Sequence, residues 1–218
     1  MDFVELTVGS RFKFWRAHQH SKADFSKDEG SAPDAVFSTM LCSTKFDTPS
    51  ALCYQKYTMP TDREVQAWER LQEAYQAQME GDYDRAVELY ERSLALHPTA
   101  EAHTFLGWTF HFQGKIEEAI AECKRAIEVD PEFGNPYNDI GAYLIGLERF
   151  DEAIPWLERA IAAKRYDPRH FPYFNLGRAY LAKGLINRAR QQFQQALEIE
   201  PRYTLARRAL ENLRRMVN

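Results

Sequence analysis

The chain has 218 residues, 44% of them hydrophobic, with 28 basic and 32 acidic side chains and a formal net charge of −4. That balance lacks the basic face on which nucleic-acid binding draws, and no run of about 18 apolar residues marks a membrane-spanning helix. Three cysteines make no disulfide framework, and the first residues, Met1 to Glu5, lack the layout of a secretory signal, so a cytoplasmic location is expected.

In chain order, residues 1–60 come first and form an N-terminal extension. The stretches 3–8 and 11–16 alternate apolar and polar residues as strands do, with Gly9-Ser10 between them as a turn. Residues 21–34 are polar and read as loose. A lone hairpin is marginal, so three readings stay open: the segment packs on the rest of the chain, it is disordered, or Met59 is an alternative start. A Cys42–Cys53 bridge would apply only to an exported protein. His18 and His20 could touch a metal, but two histidines without two further ligands do not make a site, so no metal and no cofactor is expected.

From residue 63 onward the pattern becomes periodic. Gly107, Gly141 and Gly177 lie 34 and 36 apart. Ala86, Ala119, Ala153 and Ala189 follow the same period, as do Ser93, Ala126, Ala160 and Ala196. Pro98, Pro131, Pro168 and Pro201 close four units, over about 63–98, 100–131, 134–168 and 170–201. Each unit predicts two helices, at 63–79 and 83–96, 100–112 and 116–129, 134–146 and 150–164, 170–183 and 187–199. The small residues fall where the two helices cross closely, and a larger side chain there would hold them apart. A ninth helix at 203–216 has Leu205, Leu210, Leu213 and Met216 at helical spacing, and Arg207, Arg208, Arg214 and Arg215 towards water. Such a polar-backed helix is what the end of a repeat array requires.

Tyr173-x-x-Leu176-Gly177-x-x-Tyr180, then Gly184, Ala189, Phe193, Ala196 and Pro201, is the clearest copy. Leu106-Gly107-x-x-Phe110 with Gly114, Ala119, Cys123, Ala126 and Pro131 is a second. This pattern resembles the tetratricopeptide repeat (TPR) of about 34 residues. The resemblance implies an all-α fold, a right-handed α-α superhelix of four helix-turn-helix repeats plus a C-terminal capping helix, over residues 61–218.

The resemblance also implies a concave groove lined by the first helix of each repeat, where polypeptide ligands lie. Counting the small crossing residue as the eighth position, positions two, five, six, nine and twelve line that groove. They are Trp68, Leu71 and Tyr75 in the first repeat, and Thr104, Phe105, Trp108 and His111 in the second. The third gives Asn135, Asn138, Asp139 and Ala142, and the fourth Phe171, Phe174, Asn175 and Arg178. The expected groove is aromatic at both ends and polar in the middle, with Asn138, Asp139, Asn175 and Arg178 as surface groups. Asparagine amides donate to and accept from a peptide backbone, and aromatic anchors supply contact area. Partner-binding residues are therefore expected among Trp68, Tyr75, Trp108, His111, Asn138, Asp139, Phe171, Phe174, Asn175 and Arg178. The bland reading is that the aromatics only fill contacts between repeats.

One TPR subfamily grips acidic chaperone tails with a two-carboxylate clamp of lysines, asparagines and an arginine. The corresponding positions here hold Leu71, Tyr75, Phe105, Asn135 and Asp139, or one repeat later Thr104, Trp108, Asp139, Phe171 and Asn175, so that ligand is disfavoured. No glycine-rich phosphate loop is present. Cys123 falls at a core position, and Glu117-Glu118 and Asp151-Glu152 begin helices, where the dipole favours them. No enzyme is expected. The expected function is an adaptor that binds a protein or peptide in the groove. The alternative is a subunit of a homo-oligomer or assembly, with the groove occupied by residues 1–60.

Overall fold

The structure is a computed structural model that describes residues 60–217. The expected strands at 3–8 and 11–16, the polar stretch 21–34, His18, His20, Cys42, Cys53 and Met59 lie outside the described residues. The described chain is all-helical: α1 (Asp62–Glu80), α2 (Tyr83–Leu96), α3 (Ala100–Phe112), α4 (Ile116–Val129), α5 (Asn135–Gly146), α6 (Phe150–Ala162), α7 (His170–Ala182), α8 (Ile186–Ile199) and α9 (Thr204–Val217). Its one extended pairing is an isolated parallel bridge between Phe133 and Arg165. The helices pair as α1–α2, α3–α4, α5–α6 and α7–α8, each pair stacks on the next, and α9 packs on α8.

Local chemistry explains where the helices start. Thr61 caps α1 in a capping box: its side chain accepts from the Glu64 amide, and the Glu64 carboxylate accepts from the Thr61 amide at 2.7 Å. Asp82 and Thr99 cap α2 and α3 through the amides of Arg85 and Ala102. Pro136 stands in the first turn of α5, where a missing N–H costs little.

The turn inside each repeat is the same device four times. One residue takes a left-handed conformation, and the next amide reaches back to a carbonyl five residues earlier. Gly81, Gly114 and Gly184 supply three of these turns, at φ of 82°, 77° and 73°. In the third repeat Glu148 occupies the position at φ 60°, while Arg149 still donates to the Leu144 carbonyl at 2.9 Å.

The crossings are as tight as the small-residue series implies. Ala86, Ala119, Ala153 and Ala189 are fully buried, as are Ala126, Ala160 and Ala196, with Ser93 nearly so. A methyl group on Gly141 would stand 2.5 Å from Leu157 Cγ, and one on Gly177 2.5 Å from Phe193 Cδ1. At Gly107 the same methyl would stand 3.3 Å from Cys123 Sγ, so Cys123 is the buried packing group expected of it.

The third and fourth repeats are joined by a longer link, which accounts for the 36-residue step. Here Arg165 donates from its backbone to the Glu132 carbonyl, and its own carbonyl accepts from Gly134. Its guanidinium bonds Asp130 and Glu101 and stacks 4.1 Å over the Phe133 ring. Arg169 donates to the carbonyls of Ala163 and Lys164. The peptide bond before Pro168 is cis. Arg165 thus ties this link back to the second repeat, and Arg169 closes the link on itself.

Candidate functional site

The first helices α3, α5 and α7 carry a continuous chain of polar contacts. Trp108 Nε1 donates to Asp139 Oδ2 at 2.6 Å. Asn138 Nδ2 donates to Asp139 Oδ1 at 3.3 Å. Asn175 Nδ2 donates to Asn138 Oδ1 at 2.9 Å, and Arg178 donates to Asn175 Oδ1 at 3.1 Å. The links between helices span 31 and 37 residues of sequence, so they exist only because the repeats stack. Five of the ten residues singled out in the sequence are thereby joined in one hydrogen-bonded line.

That line corrects one expectation. Asn138 and Asn175 are not surface groups: Asn138 is 2% exposed and Asn175 7%, and Asp139 is buried with them. Arg178 is half-buried. Burial lowers the Arg178 pKa from its ordinary value, with the Tyr203 phenol acting in the opposite sense. A buried amide that loses its partner costs about 1–3 kcal/mol, so alanine at Asn138 or Asn175 acts on stability as well as on any ligand.

Aromatic groups lie at both ends of the line, and Tyr75, Phe105, Trp108, Phe171 and Phe174 among them are buried. At one end Trp108 meets Phe105 edge-on, with ring centres 5.3 Å apart, and Phe105 meets Tyr75 at 5.8 Å. Trp68 takes no part in these ring contacts and is 42% exposed. At the other end Phe171 and Phe174 both meet Tyr203 edge-on, at 5.7 and 5.1 Å, and His170 lies 4.6 Å from Tyr203. Tyr203 and His170 escaped the sequence reading because one lies in the α8–α9 link and the other starts α7, outside the counted positions. The proline two residues before Tyr203 was the available signal.

His111 stacks on Tyr143 with ring centres 4.7 Å apart. Burial lowers its pKa, partly opposed by Asp139, and its Nδ1 is buried with no hydrogen-bond partner among the described residues. His103, one helix face away, is held by Glu122 at 2.8 Å, and Glu122 also receives Arg125. That arrangement ties α3 to α4. Among the described residues no cluster of three His, Cys, Asp or Glu side chains could hold a metal ion, and no helix is long and apolar enough to cross a membrane.

Comparison with known proteins gives the same architecture. Two tetratricopeptide-repeat family models match, over residues 71–132 and 133–201. Small glutamine-rich tetratricopeptide repeat-containing protein 2 of Mycosarcoma maydis is 28% identical over 104 residues, 47% of this chain and 30% of that protein. TPR repeat-containing protein YpiA of Bacillus subtilis (strain 168) is 31% identical over 101 residues, 45% of this chain and 23% of that protein. The match therefore spans less than a third of either relative. Among solved structures, pilF of Pseudomonas aeruginosa superposes with a TM-score of 0.66 at 21% identity, covering 70% of this chain and 69% of its own. A MamA protein gives 0.58 at 23% identity, covering 68% and 80%. The two matches together cover residues 71–201, the stretch over which the small residues are buried at repeat spacing, and this chain belongs to the tetratricopeptide-repeat family.

Proposed function

We propose that the chain is a protein-interaction adaptor whose first helices, α3, α5 and α7, hold a segment of a partner polypeptide. The observation that carries this reading is the polar line from Trp108 to Arg178 with an aromatic group at each end. A line of amides fixed by one another is rigid before a ligand arrives, which lowers the entropy cost of binding. The flanking rings of Tyr75, Phe105, Trp108, Phe171 and Phe174 are themselves buried and brace the two ends of the line. A segment with polar backbone at its centre and apolar side chains at both ends fits that order.

A solved relative of the fold, the first TPR of Spaghetti (RPAP3), is bound to an HSP90 peptide, SRMEEVD, with a TM-score of 0.51 and 23% identity over 55% of this chain. Here the positions that would clamp such an acidic tail hold Leu71, Tyr75 and Phe105 in one frame and Thr104, Trp108 and Phe171 in the other. The reading favours a less acidic ligand.

The test is site-specific photo-crosslinking in the native host with the full chain. A crosslinker replaces Arg178 or His111 on the first helices, and Glu158 or Arg190 on the second helices. A partner polypeptide joined from the first-helix positions alone supports the reading, and Asn175→Gln, which keeps the amide but displaces it, should weaken that crosslink. Crosslinks from the second helices alone would refute it.

A further inference from the structure

The two ends of the stack differ in a way the binding reading does not use. Position by position, α1 corresponds to α3, α5 and α7, with Ala74 where they carry Gly107, Gly141 and Gly177. In α3, α5 and α7 the positions facing the preceding repeat are covered. Ala102, Pro136 and Pro172 are buried, and so are Leu106, Ile140 and Leu176. The matching residues of α1 are Glu69 and Glu73, and both are exposed. Beside them Trp68 and Val65 are each 42% exposed, and Gln72 Nε2 is buried without a partner among the described residues. Among the described residues nothing therefore covers, on α1, the face that elsewhere stacks repeat on repeat.

The other end is closed by α9. Ala206 and Leu213 are buried against α8, and Glu211 stands where an earlier repeat has its small crossing residue. The outer face shows Arg207, Arg208, Arg214 and Arg215, all exposed. Among the described residues Arg208, Arg214 and Arg215 have no carboxylate partner, and Glu69 has no cation. Helix α1 carries five carboxylates and two arginines, and α9 carries four arginines and one glutamate.

Any polar side chain would solubilise the end of an array. Neutral caps would do that equally well, and they would not leave a tryptophan half exposed. Opposite net charge on the two ends, with an aromatic anchor on one, is complementarity between copies. We infer that copies of this chain associate head to tail, the arginine face of α9 covering the open stacking face of α1 in the next copy, with Trp68 as its apolar anchor. Such an interface is heterologous, so it propagates into a ring or a filament and does not stop at a symmetric pair. The contact continues the stacking between repeats across the chain boundary.

The experiment is sedimentation velocity of the full chain over a range of concentrations. At about 0.01 M ionic strength, where charges act over about 30 Å, the mean sedimentation coefficient should rise with concentration; at about 1 M, where they act over about 3 Å, it should fall to the monomer value. Glu69→Lys with Glu73→Lys, and separately Arg208→Glu with Arg215→Glu, should each weaken association at least tenfold. All four side chains are exposed, and circular dichroism should show both variants folded. Trp68→Ala should weaken association without changing its salt dependence. The decisive arm mixes the two charge variants. Each keeps one sound end, and the two reversed ends again carry opposite charge, so the mixture should regain assemblies larger than a pair. A monomer at every concentration at low salt would overturn the proposal. So would association that survives both charge variants, or a mixture that stops at one-to-one pairs, which would mark a symmetric interface.

Discussion

Gly141 and Gly146 lie on the same helix, and replacing each by alanine should move stability in opposite directions. Alanine is favoured over glycine in a helix interior by about 0.8–1.0 kcal/mol; that gain applies in full at Gly141 and in part at Gly146, the last residue of α5. At Gly146 a methyl group meets nothing within 4 Å, so Gly146→Ala should stabilise by about 0.5–1 kcal/mol. At Gly141 the methyl meets Leu157 Cγ and Cδ2 at 2.5 Å, where ordinary carbon contacts need about 3.5–4.0 Å. Leu157 is fully buried between α5 and its neighbours, so it cannot swing into solvent. Relief requires α5 and α6 to part or Leu157 to leave its rotamer, and overpacking of this kind costs about 1–3 kcal/mol. The net for Gly141→Ala is a loss of up to about 2 kcal/mol once the helix gain is subtracted, and Gly141→Leu should lose more. For a domain of this length 1 kcal/mol moves Tm by about 2–4 °C. Thermal melts followed by far-ultraviolet circular dichroism would separate the two variants by several degrees. Equal melts, or a more stable Gly141→Ala, would refute the claim that the crossing is closed by a missing side chain.

The left-handed turn at Glu148 gives a stabilising counterpart. A non-glycine residue there costs about 1–2 kcal/mol, so Glu148→Gly should raise stability by about 0.5–1 kcal/mol after glycine's greater unfolded-state entropy is counted; no gain in a urea titration would mean that turn is unstrained. His111 gives a pH dependence. Burial lowers its folded-state pKa, so the unfolded chain takes up the proton first, near pH 6.5. Stability should be full above that value and decline as pH falls below it towards the folded-state pKa. His111→Phe should flatten this part of the curve, measured as unfolding midpoint against pH, and an unchanged slope would place the pH sensitivity elsewhere.

The sequence by itself determined the architecture, because the repeat is written in residues whose effect is local or strictly periodic. Glycine and alanine at steps of 33 to 36 permit close crossings, proline ends units, and Gly81, Gly114 and Gly184 make the turns. The helix bounds followed to within about two residues, because capping and turn formation act over a few neighbours. Trp108, Asp139, Asn138, Asn175 and Arg178 were legible as a set for the same reason: they share positions in the repeat. What each does was not legible. A helix turns about 100° per residue, so position alone places a side chain near a groove without saying whether it points to water or to the next helix. Only stacking brought Asn138 against Asn175 and Trp108 against Asp139 and withdrew the amides from the surface. The tertiary structure likewise decided that Glu148 takes the glycine position, that Arg165 ties two repeats together, and that Glu69 and Glu73 lie uncovered where their counterparts are buried. Each depends on groups brought together from distant points in the chain, and on which end of the stack a helix occupies, and local sequence carries neither.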